Sequence, residues 1–160
     1  MKKRRWIILG QFIGIFLLML VAVIGKKAGA AAGCFFLLLI RCIFLSREGG
    51  ALLRELRAQS NLAVRQDRVP EVSLIAVIGY TAMICSPFYC FWALAGLLGA
   101  LVGTNGWLVY AFPTVFLSAV SFKMVSAAWA ELGVKKLYFW GLQLAAYVGT
   151  LIPMMITVLT

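Results

Sequence analysis

The sequence predicts an all-α, polytopic membrane protein: a bundle of five transmembrane helices, N-terminus inside and C-terminus outside, with a basic amphipathic cytoplasmic helix between spans two and three. Three observations carry this expectation. The 160 residues are 64% hydrophobic, with a mean hydropathy of +1.01, far above the roughly 45–50% apolar usage of soluble domains. Val72 to Phe122 holds fifty-one residues without one Asp, Glu, Lys or Arg. A soluble core helix is apolar on one stripe only, and a single crossing uses about 20 residues, so this run crosses a membrane at least twice. The net charge of +10 comes from 15 basic and 5 acidic residues, with the basic ones clustered at the ends of apolar runs. In a soluble chain such a balance would suggest nucleic acid. Here it sets orientation and meets anionic lipid headgroups, and no nucleic-acid partner is expected.

The whole chain, 1–160, reads as a single membrane domain. Met1 to Arg5 precede an apolar run at 6–25, longer than the 7–15 residues of a signal-peptide core, so it reads as an uncleaved first span. Lys26 and Lys27 lie in a tight connector. The second span, 28–46, is interrupted only by Arg41. The segment 47–71 is the one properly polar stretch, and Pro70 marks the approach to the next helix. The third span, 72–102, would be about 46 Å long as a straight helix. It therefore overshoots a core of about 30 Å and is expected to kink at Pro87, which removes a backbone donor. An alternative places two half-helices, 72–86 and 88–103, in a re-entrant hairpin around Pro87. Gly103 to Gly106 reads as a turn, 107–130 as span four, 131–136 as a charged connector and 137–159 as span five. Thirteen basic residues then fall on or near the cytoplasmic side against two outside, which gives the orientation. The expected location is the cytoplasmic (inner) membrane of a bacterium.

The candidate functional residues are few. Continued as one helix, Arg54, Arg57, Arg65 and Arg68 project within an arc of about 80°. Leu52, Leu56 and Ala63 lie opposite, a pattern suited to anionic lipid or an acidic partner. Charges inside a membrane are functional candidates, which singles out Arg41 and Lys123, with Glu131 close by. Lys123 shares a face with Ala119, Ala127 and Ala130, a small-residue surface of the kind that packs on neighbouring helices, where Lys123 would either meet Glu131 or line a polar pathway. Both cations also lie within snorkelling reach of the cytoplasmic interface. Gly10/Gly14, Gly29/Gly33 and Gly99/Gly103 fit the close-packing GxxxG pattern. Phe88, Tyr89, Phe91 and Trp92 form an aromatic cluster after Pro87.

The chain contains no His, and its four cysteines, Cys34, Cys42, Cys85 and Cys90, lie in apolar runs without a CxxC. No metal or cofactor is expected, and no motif with a catalytic spacing occurs. The expectation is a non-enzymatic integral membrane protein: a small transporter or channel protomer, or an accessory subunit of a larger complex. Its partners would be the bilayer, anionic headgroups, and either further copies of the chain or other membrane subunits. The alternative is a membrane-embedded enzyme acting on lipid, with the arginine face holding a phosphorylated headgroup.

Overall fold

The computed structural model describes residues 10, 13–15, 17–19, 21–22, 25, 28–69, 72–102 and 106–159. Within them the chain forms four long helices: α1 (Ala28–Arg65), α2 (Leu74–Val102), α3 (Gly106–Glu131) and α4 (Lys136–Leu159), and no strand occurs among the described residues. Among the described residues, three stretches are long and apolar enough to cross a membrane: Gly29–Arg65, Leu74–Gly96 and Ala111–Glu131. Half of the expected first span at 6–25 lies outside the described residues; those described between 10 and 22 are helical, and Met19 and Ala22 are buried. Pro70 and most of the turn expected at Gly103–Gly106 also lie outside them, and Gly106 opens α3.

α1 is 38 residues long and passes Ser46 and Arg47 without a break. The second span and the polar segment after it are therefore one rod. Its buried positions, Phe35, Leu38, Cys42, Gly49, Leu53 and Ser60, recur at spacings of three, four and seven residues. Those intervals keep one stripe of a 3.6-residue helix against its neighbours along nearly the whole length. The helix stops in a Schellman turn. Asp67 adopts a left-handed φ of 50°, and the Arg68 N–H donates to the Ala63 carbonyl at 2.9 Å. α3 ends the same way around Gly133, φ 66°, where the Val134 N–H donates to the Trp129 carbonyl at 3.0 Å.

α2 is the hub, with α1, α3 and α4 all packed on it and only light contact between the others. It continues as a single helix through Pro87, so the re-entrant hairpin is not the arrangement observed. Pro87 leaves the Met83 carbonyl without its helical donor. The Ser86 hydroxyl lies 2.7 Å from that carbonyl and 3.1 Å from the Cys42 carbonyl of α1, so its one proton serves the orphan or bridges the helices.

The α1–α2 crossing is built from small residues. A Cβ on Gly49 would lie 2.7 Å from the Met83 Cβ and 2.9 Å from the Tyr80 carbonyl oxygen. One turn away the Ser46 hydroxyl donates to the Ile84 carbonyl at 2.9 Å. The close-packing glycine is thus Gly49, which belongs to none of the GxxxG pairs. Among the described residues, Gly10, Gly14, Gly29 and Gly33 have nothing within 4 Å of an added Cβ.

Candidate functional site

Above the Ser46–Ile84 contact the helices enclose an apolar cluster of Leu53, Val77, Ile84, Val125, Trp129, Leu132 and Phe139, drawn from all four. The Trp129 indole N–H donates to Thr81 Oγ1 at 2.8 Å, which satisfies a buried polar pair. On the outer side of this cluster α1, α2 and α3 leave a crevice of about 430 Å³, within the 300–1,000 Å³ range of small-molecule sites. Its floor is apolar, formed by Leu53, Ile84, Met124 and Ala128, and its α1 wall carries Arg47, Arg54 and Arg57.

Two of the three arginines are free to meet an anion. Arg57 is not, because its Nε and Nη2 donate in a fork to both carboxylate oxygens of Glu131. This pair ties α1 to the end of α3 across 74 residues of sequence. Among the described residues neither Arg47 nor Arg54 forms an ion pair. Arg54 Nε donates to the Gly50 carbonyl at 3.2 Å, which folds its side chain back one turn toward Arg47. Glu48 and Glu55 are not among the lining residues, so the crevice keeps its positive charge.

The four arginines read from sequence as one face therefore separate. Arg54 and Arg57 line the crevice, whereas Arg65 is exposed at the last turn of α1. Arg68 lies beyond the helix, because the left-handed Asp67 turns the chain away first. Arg47, not singled out by the sequence pattern, joins the site instead. It falls on the face of Gly50, Arg54 and Arg57, and its position at the start of the polar segment was the available signal.

Lys123 is not brought to Glu131, whose partner is Arg57. The small-residue face also points the other way from the one expected: Ala119, Lys123, Ala127 and Ala130 are all exposed. α3 packs through Ser118, Ser121, Val125 and Trp129, and position 123 lies about 200° around the helix from 125. Arg41 is exposed on α1 below the crevice.

A second polar set lies deeper, between α2 and α4. Gln143 Nε2 donates to the Tyr89 hydroxyl at 3.2 Å and lies 3.9 Å from Cys85 Sγ. The Ser121 hydroxyl donates to the Leu117 carbonyl at 2.7 Å. Gln143 Oε1 and the Trp92 indole N–H are buried without a hydrogen-bond partner among the described residues. The aromatic cluster after Pro87 splits around this set. Tyr89 and Trp92 turn inward, with ring centroids 5.3 Å apart. Phe91 turns outward onto Phe35 of α1, 6.3 Å away.

No family model, curated protein or solved structure matches the chain. The functional reading therefore rests on its own residues.

Proposed function

We propose that this is a non-enzymatic integral membrane protein that serves as an accessory subunit of a larger membrane assembly, with the membrane boundary at the level of Ser46, Ile84 and Met124. The carrying observation is a match of lengths. From Ser46, Ile84 and Met124, which the Ser46–Ile84 bond and the shared crevice bring to one level, to the far end of each helix runs the same span: Ala28–Ser46, Ile84–Val102 and Gly106–Met124. Each is about 28 Å at 1.5 Å per residue, which fits a hydrocarbon core of about 30 Å. The charges support the same level. A boundary drawn at Leu74 and Glu131 would immerse Arg47, Glu48, Arg54 and Glu55, all exposed, at a cost of about 2.5–3.5 kcal/mol for each such charge near mid-bilayer. Drawn at Ser46, it leaves Lys123 at the interface and Arg41 about one and a half turns inside, within reach by snorkelling.

The three helices then continue past the membrane as a rigid cap, on the cytoplasmic side by the distribution of basic residues. Its tip carries Arg65 and Arg68 beside the exposed Leu62, Val64, Val69 and Ile75, the last 83% exposed. Arg65 stands about 28 Å beyond the boundary along the helix. That is past both a headgroup layer of about 5–8 Å and a screening length of about 8–10 Å. Apolar side chains among cations so far from lipid suit a partner chain with an acidic, apolar surface.

The deeper Gln143–Tyr89–Trp92 set supports the second reading, a transporter or channel protomer, because an orphan acceptor and an orphan donor there suit a polar guest. The crevice favours holding a headgroup over turning it over, since the Ser46 hydroxyl beside it is bonded to the Ile84 carbonyl. One preparation tests these readings. Purification in mild detergent should recover a stoichiometric partner chain, lost from Arg65→Glu/Arg68→Glu, and the purified chain alone should give no solute flux in liposomes. A clean monomer that conducts, with conduction lost in Gln143→Met, would replace the accessory reading by the transporter one.

A further inference from the structure

We propose that the Arg47–Arg54 crevice is a binding site for one anionic phospholipid, with the phosphate held between the two guanidinium groups and an acyl chain laid along Ile84 and Met124. The proposal deepens the membrane reading above and rests on its boundary at Ser46. Three independent observations meet at this place. The crevice offers two cations without carboxylate partners among the described residues, and an arginine fork suits phosphate. Arg47 lies at the proposed boundary, and the bond from Arg54 to the Gly50 carbonyl draws its guanidinium back toward the membrane. The two groups therefore bracket the headgroup layer and not the hydrocarbon or open water. The floor is apolar and descends in the direction of the tails, through Leu53 and Ala128 to Ile84 and Met124.

The far end is closed by the Arg57–Glu131 pair, which has spent its charge internally. A bound phosphate thus meets two net positive charges from one side and a neutral pair above. This is a site for one headgroup, unlike a uniformly basic surface. It also explains why Gly50 is tolerated within α1. An added Cβ there meets nothing within 4 Å among the described residues, so packing of the described helices does not require its small size. Gly50 lines the crevice, where any larger side chain would take the space of the headgroup.

The test uses the full chain in detergent and in nanodiscs, with phosphatidylglycerol and phosphatidylcholine as probes. Lipid retention is read by native mass spectrometry, and lipid-induced thermal stabilisation is read in parallel. Phosphatidylglycerol should bind roughly tenfold more tightly than phosphatidylcholine. Arg47→Gln/Arg54→Gln should lose that preference, whereas Arg65→Gln/Arg68→Gln, with the same change in net charge, should keep it within about twofold. Gly50→Leu fills the crevice with every charge in place and a better helix former, so it should also lose the preference while melting no lower than the wild type. Equal loss in both arginine pairs, or full binding in Gly50→Leu, would overturn the proposal in favour of diffuse attraction. Displacement of the lipid by millimolar inorganic phosphate would overturn it in favour of a soluble anion. Failure here leaves the membrane reading standing; extraction of the protein by alkaline wash of membranes would sink that reading separately.

Discussion

Below Ser46 the outward face of α1 presents Phe36, Leu37, Ile40, Ile43 and Phe44 with the single charge Arg41; above it the same face presents Arg47, Glu48, Ala51, Arg54, Glu55, Ala58, Gln59 and Asn61, until Leu62 and Val64 are exposed near the tip. The inward stripe shows no such change, running from Phe35 and Leu38 through Gly49 to Leu53 and Ser60. What a helix buries depends on its neighbours, and what it exposes depends on its solvent. On the boundary proposed above, the two halves share the first and differ in the second. The energetics should differ accordingly. Apolar contact in the cap is driven by water at about 25 cal/mol per Å². On the boundary proposed above, contact in the lower half comes from packing alone, since lipid is as apolar as leucine.

Three measurements bear on that contrast. The largest effect should come where the halves join. Gly49→Val places atoms against the Met83 Cβ and the Tyr80 carbonyl, and backbone does not yield as a side-chain tip does. A loss of about 3 kcal/mol or more, or failure to fold, is expected in a thermal melt in detergent. Gly33→Ala, with nothing within 4 Å of the added Cβ among the described residues, should be neutral or stabilising by up to about 1 kcal/mol. A tolerated Gly49→Val would show that the helices do not cross this closely.

Next in size, Leu53→Ala in the cap should cost about 2–4 kcal/mol. Leu38→Ala, equally buried in the lower half, should cost less, about 1–2 kcal/mol, because no hydrophobic transfer accompanies it. Equal costs in a bilayer, measured by denaturant titration in nanodiscs, would break the comparison and with it the proposed boundary. The smallest effect belongs to Glu131→Gln. Both partners of the Arg57 pair are 40% exposed, so water replaces much of what is lost, and less than about 1 kcal/mol is expected. The change should shrink further in 1 M salt, where screening acts within about 3 Å.

Much of the helix layout was legible in the sequence, because uncharged runs and charged connectors report solvent directly. The uncharged stretch from Val72 to Phe122 contains most of α2 and α3, and Lys135 falls in their connector to α4. The continuity of α1 was obscured by composition: its outward side chains change from apolar to polar near Ser46 while the backbone stays helical. The crossing at Gly49 was hidden because it uses Cys42, Ser46 and Gly49 together instead of a GxxxG pair. A glycine pair, Gly49–Gly50, within a helical polar segment was the available hint, since glycine costs a helix about 1 kcal/mol without a reason. The Arg57–Glu131 pair joins residues far apart in sequence, which local periodicity cannot report. Arg68 was misplaced on a helical face by one backbone angle at Asp67, a residue type that tolerates the left-handed region better than most.

The unbroken passage of α1 across Ser46 also has a mechanical meaning. With no hinge at that level, the rod behaves as a lever whose fulcrum lies beside the arginine crevice. A tilt of 10° in the lower half would reach the tip undiminished, displacing Arg65 sideways by about 5 Å over the 28 Å above the fulcrum. On the boundary proposed above, whatever sits on that tip would register a small tilt of the lower half as movement of several ångströms.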